Sequence, residues 1–175
     1  MATDTVKLFS TIKPTLLRAT LFRGTLLASL GVFLLIFVTT YVPTEGMISW
    51  GLFFLLAGGG LMVYGLIPYR RLQRMENDPS ELVILEGEHL QLISFGVQQY
   101  TIPLNKVEKI EYLEKGQEYG IGIWFNSEVD DRVIVHNQRL NVARLMKKSQ
   151  QKFGCDLFIP YFGRRSYTRL ALYRS

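Results

Sequence analysis

The sequence predicts an α+β membrane protein, in which a transmembrane helical hairpin precedes an antiparallel β-domain with one amphipathic helix. Two long apolar runs, residues 24–42 and 47–67, lie only four residues apart. After residue 80 the apolar side chains recur with a period of two, which is typical of strands. A helical period returns from residue 141 to residue 153. These changes of period define the predicted domains.

Each apolar run is long enough to cross a lipid bilayer as a helix. The runs contain 19 and 21 residues and no charged side chain. A helix rises ~1.5 Å per residue, so each run covers roughly the 30 Å hydrocarbon core. The alternative, two buried helices of a soluble bundle, is less favoured because neither run has a polar stripe. Residues 21–69 are therefore predicted to form an antiparallel transmembrane hairpin.

Small residues recur in both runs. Among them are Gly31, Gly58, Gly59, Gly60 and Gly65. Small side chains allow helix backbones to approach closely inside a membrane. We expect this packing to join the two spans, and the alternative is a face that docks another membrane protein.

Basic residues flank the predicted hairpin at its outer ends, whereas the connecting loop carries one acid, Glu45. The flanking residues are Lys7, Lys13, Arg18, Arg23, Arg70, Arg71 and Arg74. The positive-inside rule then places both termini in the cytoplasm of a multi-pass protein, which we assign to a bacterial inner membrane. We expect residues 1–20 to form a cytoplasmic or interfacial arm, with Pro14 interrupting any helix there. Pro68 is expected to end the second span, and residues 70–79 to form a linker.

Residues 80–175 are predicted to form the cytoplasmic β-domain. Tyr119, Ile121, Ile123 and Phe125 alternate on one face of a strand. We expect Ile121 and Ile123 to be buried, together with Ile102. Turn-punctuated strands of this kind indicate an antiparallel meander, with an acidic loop at residues 126–131. The amphipathic helix, residues 141–153, has a capping residue at its start and a glycine after its end.

The run Ile102-Pro103-Leu104-x-x-Val107-x-x-Ile110, behind a two-span hairpin, resembles the bacterial pleckstrin-homology-like membrane proteins. The resemblance covers residues 21 to about 160. It implies a partly open β-barrel, or two bent sheets, with a helix closing one end. The layout is also similar to that of two-span photosystem I assembly proteins, which implies an assembly role. About twenty residues after Gly154 depart from the pleckstrin-homology pattern.

Candidate catalytic residues are few. Cys155, the only cysteine, could form a nucleophile set with His136 and Asp156, but no recognisable motif surrounds it. His89 and His136 lie 47 residues apart, which is not a metal-ligand spacing. No glycine-rich phosphate loop is present. We therefore predict no catalytic residues, no cofactor site and no metal site, and a cytoplasmic, reducing location for the cysteine.

Charge is strongly segregated along the chain. Residues 76–138 carry twelve acids and four bases, whereas residues 139–175 carry nine bases and one acid. The candidate binding residues are Arg144, Lys147, Lys148, Lys152, Arg164, Arg165 and Arg169. Four roles are open for this basic C-terminal segment: neutralisation of the acidic segment, contact with anionic lipid, contact with a protein partner, and, least favoured, nucleic-acid binding.

These patterns predict a non-enzymatic membrane-anchored scaffold or adaptor that binds a protein partner or an anionic lipid surface. One alternative is an assembly or structural subunit of a larger membrane complex, with a membrane-protein partner on the glycine-rich face. The other is a hairpin-type membrane effector of an intracellular bacterium.

Overall fold

The computed structural model of the protein describes residues 5–126 and 133–172. The chain divides into two compact units. The helical unit comprises Ile12–Asn77, and the β-unit comprises Asp78–Ser175 together with Met1–Thr11. The predicted acidic loop falls, apart from Asn126, outside the described residues.

The helical unit contains α1 (Pro14–Tyr41) and α2 (Thr44–Asn77). By length and composition, both helices can cross a membrane. The sequence interpretation expected Pro14 to interrupt a helix, but Pro14 instead begins α1. A proline is well suited to the first turn, because the N–H that it lacks has no helical partner there.

The two helices are in backbone contact at two pairs of glycines. A Cβ atom on Gly24 would lie 2.5 Å from the carbonyl oxygen of Gly65, and one on Gly31 would lie 2.5 Å from that of Gly58. The pairs follow opposite chain directions, so the helices are antiparallel. Packing between the spans therefore accounts for Gly31, Gly58 and Gly65. It does not account for Gly59 and Gly60, whose added Cβ atoms would meet nothing within 4 Å.

The second helix does not end at Pro68, as the sequence interpretation had it, but continues to Asn77. The segment predicted as a linker, residues 70–79, is therefore helical over most of its length. Arg, Leu, Gln, Met and Glu dominate residues 70–76, and all are strong helix formers that offset one interior proline. The helix ends before Asp78-Pro79, where a proline disfavours the helical conformation of the residue that precedes it.

The β-unit contains two antiparallel sheets. The five-stranded sheet has the order β1-β2-β3-β4-β7, and the three-stranded sheet has the order β5-β6-β8. The strands are β1 (Val6–Phe9), β2 (Glu81–Leu85), β3 (His89–Ser94), β4 (Val97–Pro103), β5 (Val107–Lys115), β6 (Glu118–Phe125), β7 (Ile134–Val135) and β8 (Leu157–Pro160). The predicted antiparallel meander is confirmed for β2-β3-β4 and for β5-β6.

The Ile102-Pro103-Leu104 run carries the chain from one sheet to the other. Ile102 is buried near the end of β4, and the turn Leu104–Lys106 leads directly into β5. The predicted core residues Ile102, Ile121 and Ile123 are confirmed, since all three are fully buried. They belong to one apolar cluster that includes residues of both sheets.

The expected interfacial arm, residues 1–20, is instead divided: residues 6–9 form a strand of the β-unit, and residues 14–20 belong to α1. Val6–Phe9 forms β1, which pairs with β2 so that Leu8 lies opposite Leu82. Leu8 is only 3% exposed and belongs to the core cluster. The physical reason is the alternation of Val6 and Leu8 with Lys7, which directs both apolar side chains to one face.

The α+β class is confirmed, but neither sheet closes into a barrel within the described residues. Two helices accompany the sheets, whereas one was predicted. The first, α3 (Val142–Phe153), matches the expected amphipathic helix. The second, α4 (Arg164–Leu172), occupies the segment expected to be a basic tail. Burial of Leu170, with Tyr167 packed against the core, holds α4 on the β-unit.

Candidate basic groove

The seven basic residues singled out in the sequence all have exposed side chains, and they lie on two helices. Arg144, Lys147, Lys148 and Lys152 belong to α3, and Arg164, Arg165 and Arg169 belong to α4. The structure therefore does not present them as an extended tail. Each set is held by the packing of its own helix.

Capping and packing fix the α3 set. The side chain of Asn141 accepts a hydrogen bond from the backbone N–H of Arg144 at 2.9 Å, and Gly154 ends the helix in the left-handed conformation, with φ of 71°. Leu145 and Met146 pack against the core cluster. The basic side chains of α3 are consequently directed to solvent.

Lys152 differs from the other α3 bases because it joins the helix to the β5–β6 turn. Its ammonium forms an ion pair with Glu118 at 2.7 Å, and its carbonyl oxygen accepts a hydrogen bond from Lys115 at 2.9 Å. Both side chains of the ion pair are about half exposed. Such pairs contribute little to stability, so this contact orients α3 rather than holding the fold.

The α4 set divides into two parts. The guanidinium of Arg164 lies 5.3 Å from the ring centroid of Tyr112 in β5, a cation–π arrangement. Arg165 and Arg169 instead line a groove between α4 and β1. They are four residues apart on a helix, so their side chains are neighbours on one face.

We call this feature the basic groove, and it has a volume of about 460 Å³. It is lined by Lys7, Leu8, Phe9, Arg165, Ser166, Thr168 and Arg169. Three cationic side chains thus meet in it, and none of the described residues that line it is acidic. Lys7 forms an ion pair with Glu81 in β2, at 3.2 Å.

Lys7 is the groove residue that sequence reasoning did not include among the binding residues. It was assigned to the flank of the first span because it precedes an apolar run. The signal that could have identified it is the Val6-Lys7-Leu8 alternation, which is a strand pattern. Lys7 meets Arg165 and Arg169, which lie about 160 positions later in the chain, only because β1 pairs with β2.

The Cys155, His136 and Asp156 side chains have separate partners. His136 Nε2 lies 2.8 Å from Thr101 Oγ1, and the Asp156 carboxylate accepts a hydrogen bond from the Phe125 N–H at 2.9 Å. Cys155 is fully buried, and burial raises its pKa to about 11. The thiol therefore stays protonated near neutral pH, where a nucleophile would need to be a thiolate. Among the described residues, no group of three His, Cys, Asp or Glu side chains is placed to hold a metal ion.

The fold and groove define an α+β protein with two helices able to cross a membrane and a compact unit that carries a basic groove. Comparisons with protein-family models, curated proteins and solved structures find no significant match to this chain.

Proposed function

We propose that this chain is a non-enzymatic membrane-anchored adaptor, whose hairpin inserts into a bilayer and whose β-unit binds an anionic lipid surface. The hairpin supports the first part. Large apolar side chains on both helices are exposed, among them Phe33 at 66% and Leu52 at 70%. Contiguous apolar surface of this kind is unfavourable in water and is matched by lipid.

The lipid assignment rests mainly on one observation: most of the candidate residues have no acidic partner among the described residues. Within residues 5–126 and 133–172, Lys152 is the only one of the seven candidates in an ion pair with a carboxylate. The other six are exposed cations available to an external anion. Each Lys or Arg close to an anionic leaflet contributes ~1 kcal/mol to binding.

Attachment to the hairpin strengthens this weak attraction. α2 ends at Asn77 and β2 begins at Glu81, so three residues connect the helical unit to the β-unit at that point. A short connection keeps the basic residues at a high local concentration near the bilayer that holds the hairpin. We propose that the hairpin lies in a bacterial inner membrane with both termini in the cytoplasm. The basic residues are at the outer ends of the hairpin and not in its connecting loop, which favours this orientation.

A pleckstrin-homology-like arrangement is the fold assignment that we propose for the β-unit. Two antiparallel sheets joined by the Ile102-Pro103-Leu104 step, with α3 following the strands, support it. Two elements depart from that pattern. β1 is supplied from before the hairpin, and α4 follows β8.

Hydrogen exchange of the full chain in liposomes tests the lipid assignment. With phosphatidylglycerol in the bilayer, amides of α3 and α4 are expected to exchange more slowly than in pure phosphatidylcholine. The difference should disappear at about 1 M salt, where the Debye length is ~3 Å. The interior strand β6 serves as the control segment, since its exchange should not depend on the lipid. Identical exchange of α3 and α4 in both bilayers at low salt would refute the assignment.

A second candidate function is that of a subunit in a larger membrane complex. Gly59 and Gly60 favour it, since neither is used in packing against α1. A small-residue face left open in a span is suited to close approach by another helix. Crosslinking from Gly60→Cys in native membranes, followed by mass spectrometry, should identify a fixed membrane partner if this candidate is right, and only dispersed products if it is wrong.

A further inference from the structure

The basic groove combines three cations that are far apart in the sequence. Lys7 comes from β1, and Arg165 and Arg169 come from α4. β1 is the outer strand of its sheet, and residues of β1 and α4 line the two sides of the groove. Ser166 Oγ donates to the Phe9 carbonyl at 3.5 Å, which joins α4 to β1. Just outside these elements, the Thr11 N–H donates to the Tyr161 carbonyl at 2.8 Å. The groove is therefore part of the folded β-unit and does not depend on a mobile tail.

Arg165 and Arg169 lie on one face of α4, where their like charges repel each other. Like charges four residues apart on a helix are unfavourable for that helix. In the described ranges, 5–126 and 133–172, no carboxylate lies within ion-pair distance of Arg165 or Arg169. An external anion would remove this repulsion. Guanidinium groups bind carboxylate and phosphate oxygens through paired N–H donors. Of the two anions, a phosphate group suits this pair better, because its additional oxygens and larger charge allow it to bind both arginines.

The third cation, Lys7, already forms an ion pair with Glu81. Their side chains are 55% and 30% exposed, so the pair is weak and an incoming anion can compete with the carboxylate. The two hydroxyls in the groove do not supply donors. Thr168 Oγ1 donates to the Arg164 carbonyl, and Ser166 Oγ donates to the Phe9 carbonyl. Recognition is therefore by charge and by guanidinium geometry.

The groove wall also contains an apolar group. Phe9 is 47% exposed, although the neighbouring Leu8 is buried. An aromatic ring beside three cations suits a ligand in which a phosphate group adjoins an apolar or glycerol part. A phosphate monoester carries a charge of roughly −1.5 to −2 near pH 7, whereas a diester carries about −1, so three cations favour the monoester.

We propose that the basic groove is a binding site for a phosphate monoester, present either on a membrane lipid headgroup or on a soluble phosphate ester. In the lipid case, this inference rests on the membrane attachment proposed above. It extends that proposal from a diffuse attraction to a discrete site. It also separates the groove residues from the remaining exposed bases, which contribute only unspecific charge.

Native mass spectrometry of the full chain in a neutral detergent, at constant ionic strength, tests the site. The probes are short-chain phosphatidate, which is a monoester, short-chain phosphatidylglycerol, which is a diester, and glycerol phosphate, which has no acyl chains. Phosphatidate is expected to bind about tenfold more tightly than phosphatidylglycerol. If glycerol phosphate binds as tightly as phosphatidate, the ligand is a soluble phosphate ester. If phosphatidate binds more tightly than glycerol phosphate, it is a lipid.

A pair of charge-matched variants locates the site. The groove variant is Lys7→Gln, Arg165→Gln and Arg169→Gln, and the control variant is Arg144→Gln, Lys147→Gln and Lys148→Gln on α3. Both lose three positive charges at exposed positions. The groove variant should lose about tenfold in phosphatidate affinity or more, whereas the control variant should lose little. Equal losses in the two variants, or equal binding of phosphatidate and phosphatidylglycerol by the unaltered chain, would overturn the inference.

Glu81→Gln supplies a variant that leaves the groove lining intact. It frees Lys7 from its partner and removes a negative charge beside the groove, so phosphatidate should bind about two- to fivefold more tightly. Unchanged or weaker binding of phosphatidate by this variant would also overturn the proposed site. Should the monoester preference fail while the lipid-dependent protection of α3 and α4 persists, the discrete site is wrong and the adaptor proposal stands.

Discussion

Gly31 of α1 lies against the backbone carbonyl oxygen of Gly58 in α2, so closely that a Cβ atom on Gly31 would be 2.5 Å from that oxygen. Contact between backbones is a major source of helix association in a membrane, because lipid tails are as apolar as the side chains. The same relationship recurs seven residues away, between Gly24 and Gly65. The hairpin is thus held along one glycine-lined face.

Gly31→Ala is expected to destabilise the hairpin by about 1–3 kcal/mol, because the new methyl group meets a backbone atom that cannot rotate away. Gly60→Ala is the matched control, since its Cβ would meet nothing within 4 Å. Alanine is also the better helix former, so Gly60→Ala should be neutral or stabilising by up to ~1 kcal/mol. Unfolding of the full chain in mixed micelles with a denaturing detergent measures both, and equal effects would contradict the packing described here.

Leu8 tests whether β1 belongs to the β-unit. Leu8→Ala removes a fully packed side chain and should cost about 2–5 kcal/mol of unfolding free energy. Val97→Ala in β4 is the control, because Val97 is 52% exposed and should change stability little. Urea unfolding of the full chain in detergent micelles, followed by tryptophan fluorescence in a Trp50→Phe background that leaves Trp124 as the only tryptophan, gives the comparison. A Leu8→Ala chain as stable as the Val97→Ala chain would indicate that β1 is not part of the core.

The sequence predicted the features that depend on local period and failed for those that depend on long-range pairing. Ile121 and Ile123 alternate within one strand, and Asn141 and Gly154 are local helix signals, so their placements followed directly. Lys7 and Leu8 lie in a short strand-like alternation, but that pattern does not show which strand they pair with, and β1 forms against β2, across the whole hairpin. The prediction that Pro68 ends the second helix was wrong, because the strong helix formers after Pro68 outweigh the tendency of one proline to end a helix.

The basic groove could likewise be predicted only in part, because its residues meet through long-range contacts. Arg165 and Arg169 were identified from charge alone, but a helix was needed to place them on one face. Their meeting with Lys7 depends on the position of α4 beside β1, which has no signature in either segment. Net charge therefore indicated which residues were candidates but not which of them act together.

The proposed orientation of the hairpin, with both termini in the cytoplasm, is tested by cysteine labelling in intact bacterial cells. Pro43→Cys, in the connecting segment, should react with a membrane-impermeant maleimide, and Asp78→Cys, after α2, should not react until the membrane is opened. Both positions are exposed, which makes their intrinsic reactivities comparable. Cys155→Ala provides the background free of other thiols. The reverse pattern would place the β-unit in the opposite compartment.

Cys155 should make the β-unit sensitive to alkaline pH. Burial raises the pKa of its thiol from about 9 to about 11, so between these values the unfolded chain releases a proton that the folded chain retains. Since the unfolded state then binds fewer protons, stability falls as pH rises. The contribution of the protonated thiol is fully present below pH 9 and is lost by pH 11. Its size is about 2–3 kcal/mol, at 1.36 kcal/mol for each pKa unit.

Comparison of the unaltered chain with Cys155→Ala isolates this effect from other groups that titrate at high pH, such as the buried Tyr100, whose pKa is also raised by burial. Cys155→Ala loses some packing at every pH, so the informative quantity is the slope of unfolding free energy against pH. Between pH 9 and pH 11 that slope should be shallower in Cys155→Ala. Parallel slopes would mean that the thiol titrates normally in the folded chain, and a thiol reagent that modified Cys155 readily at pH 8 would agree with that outcome.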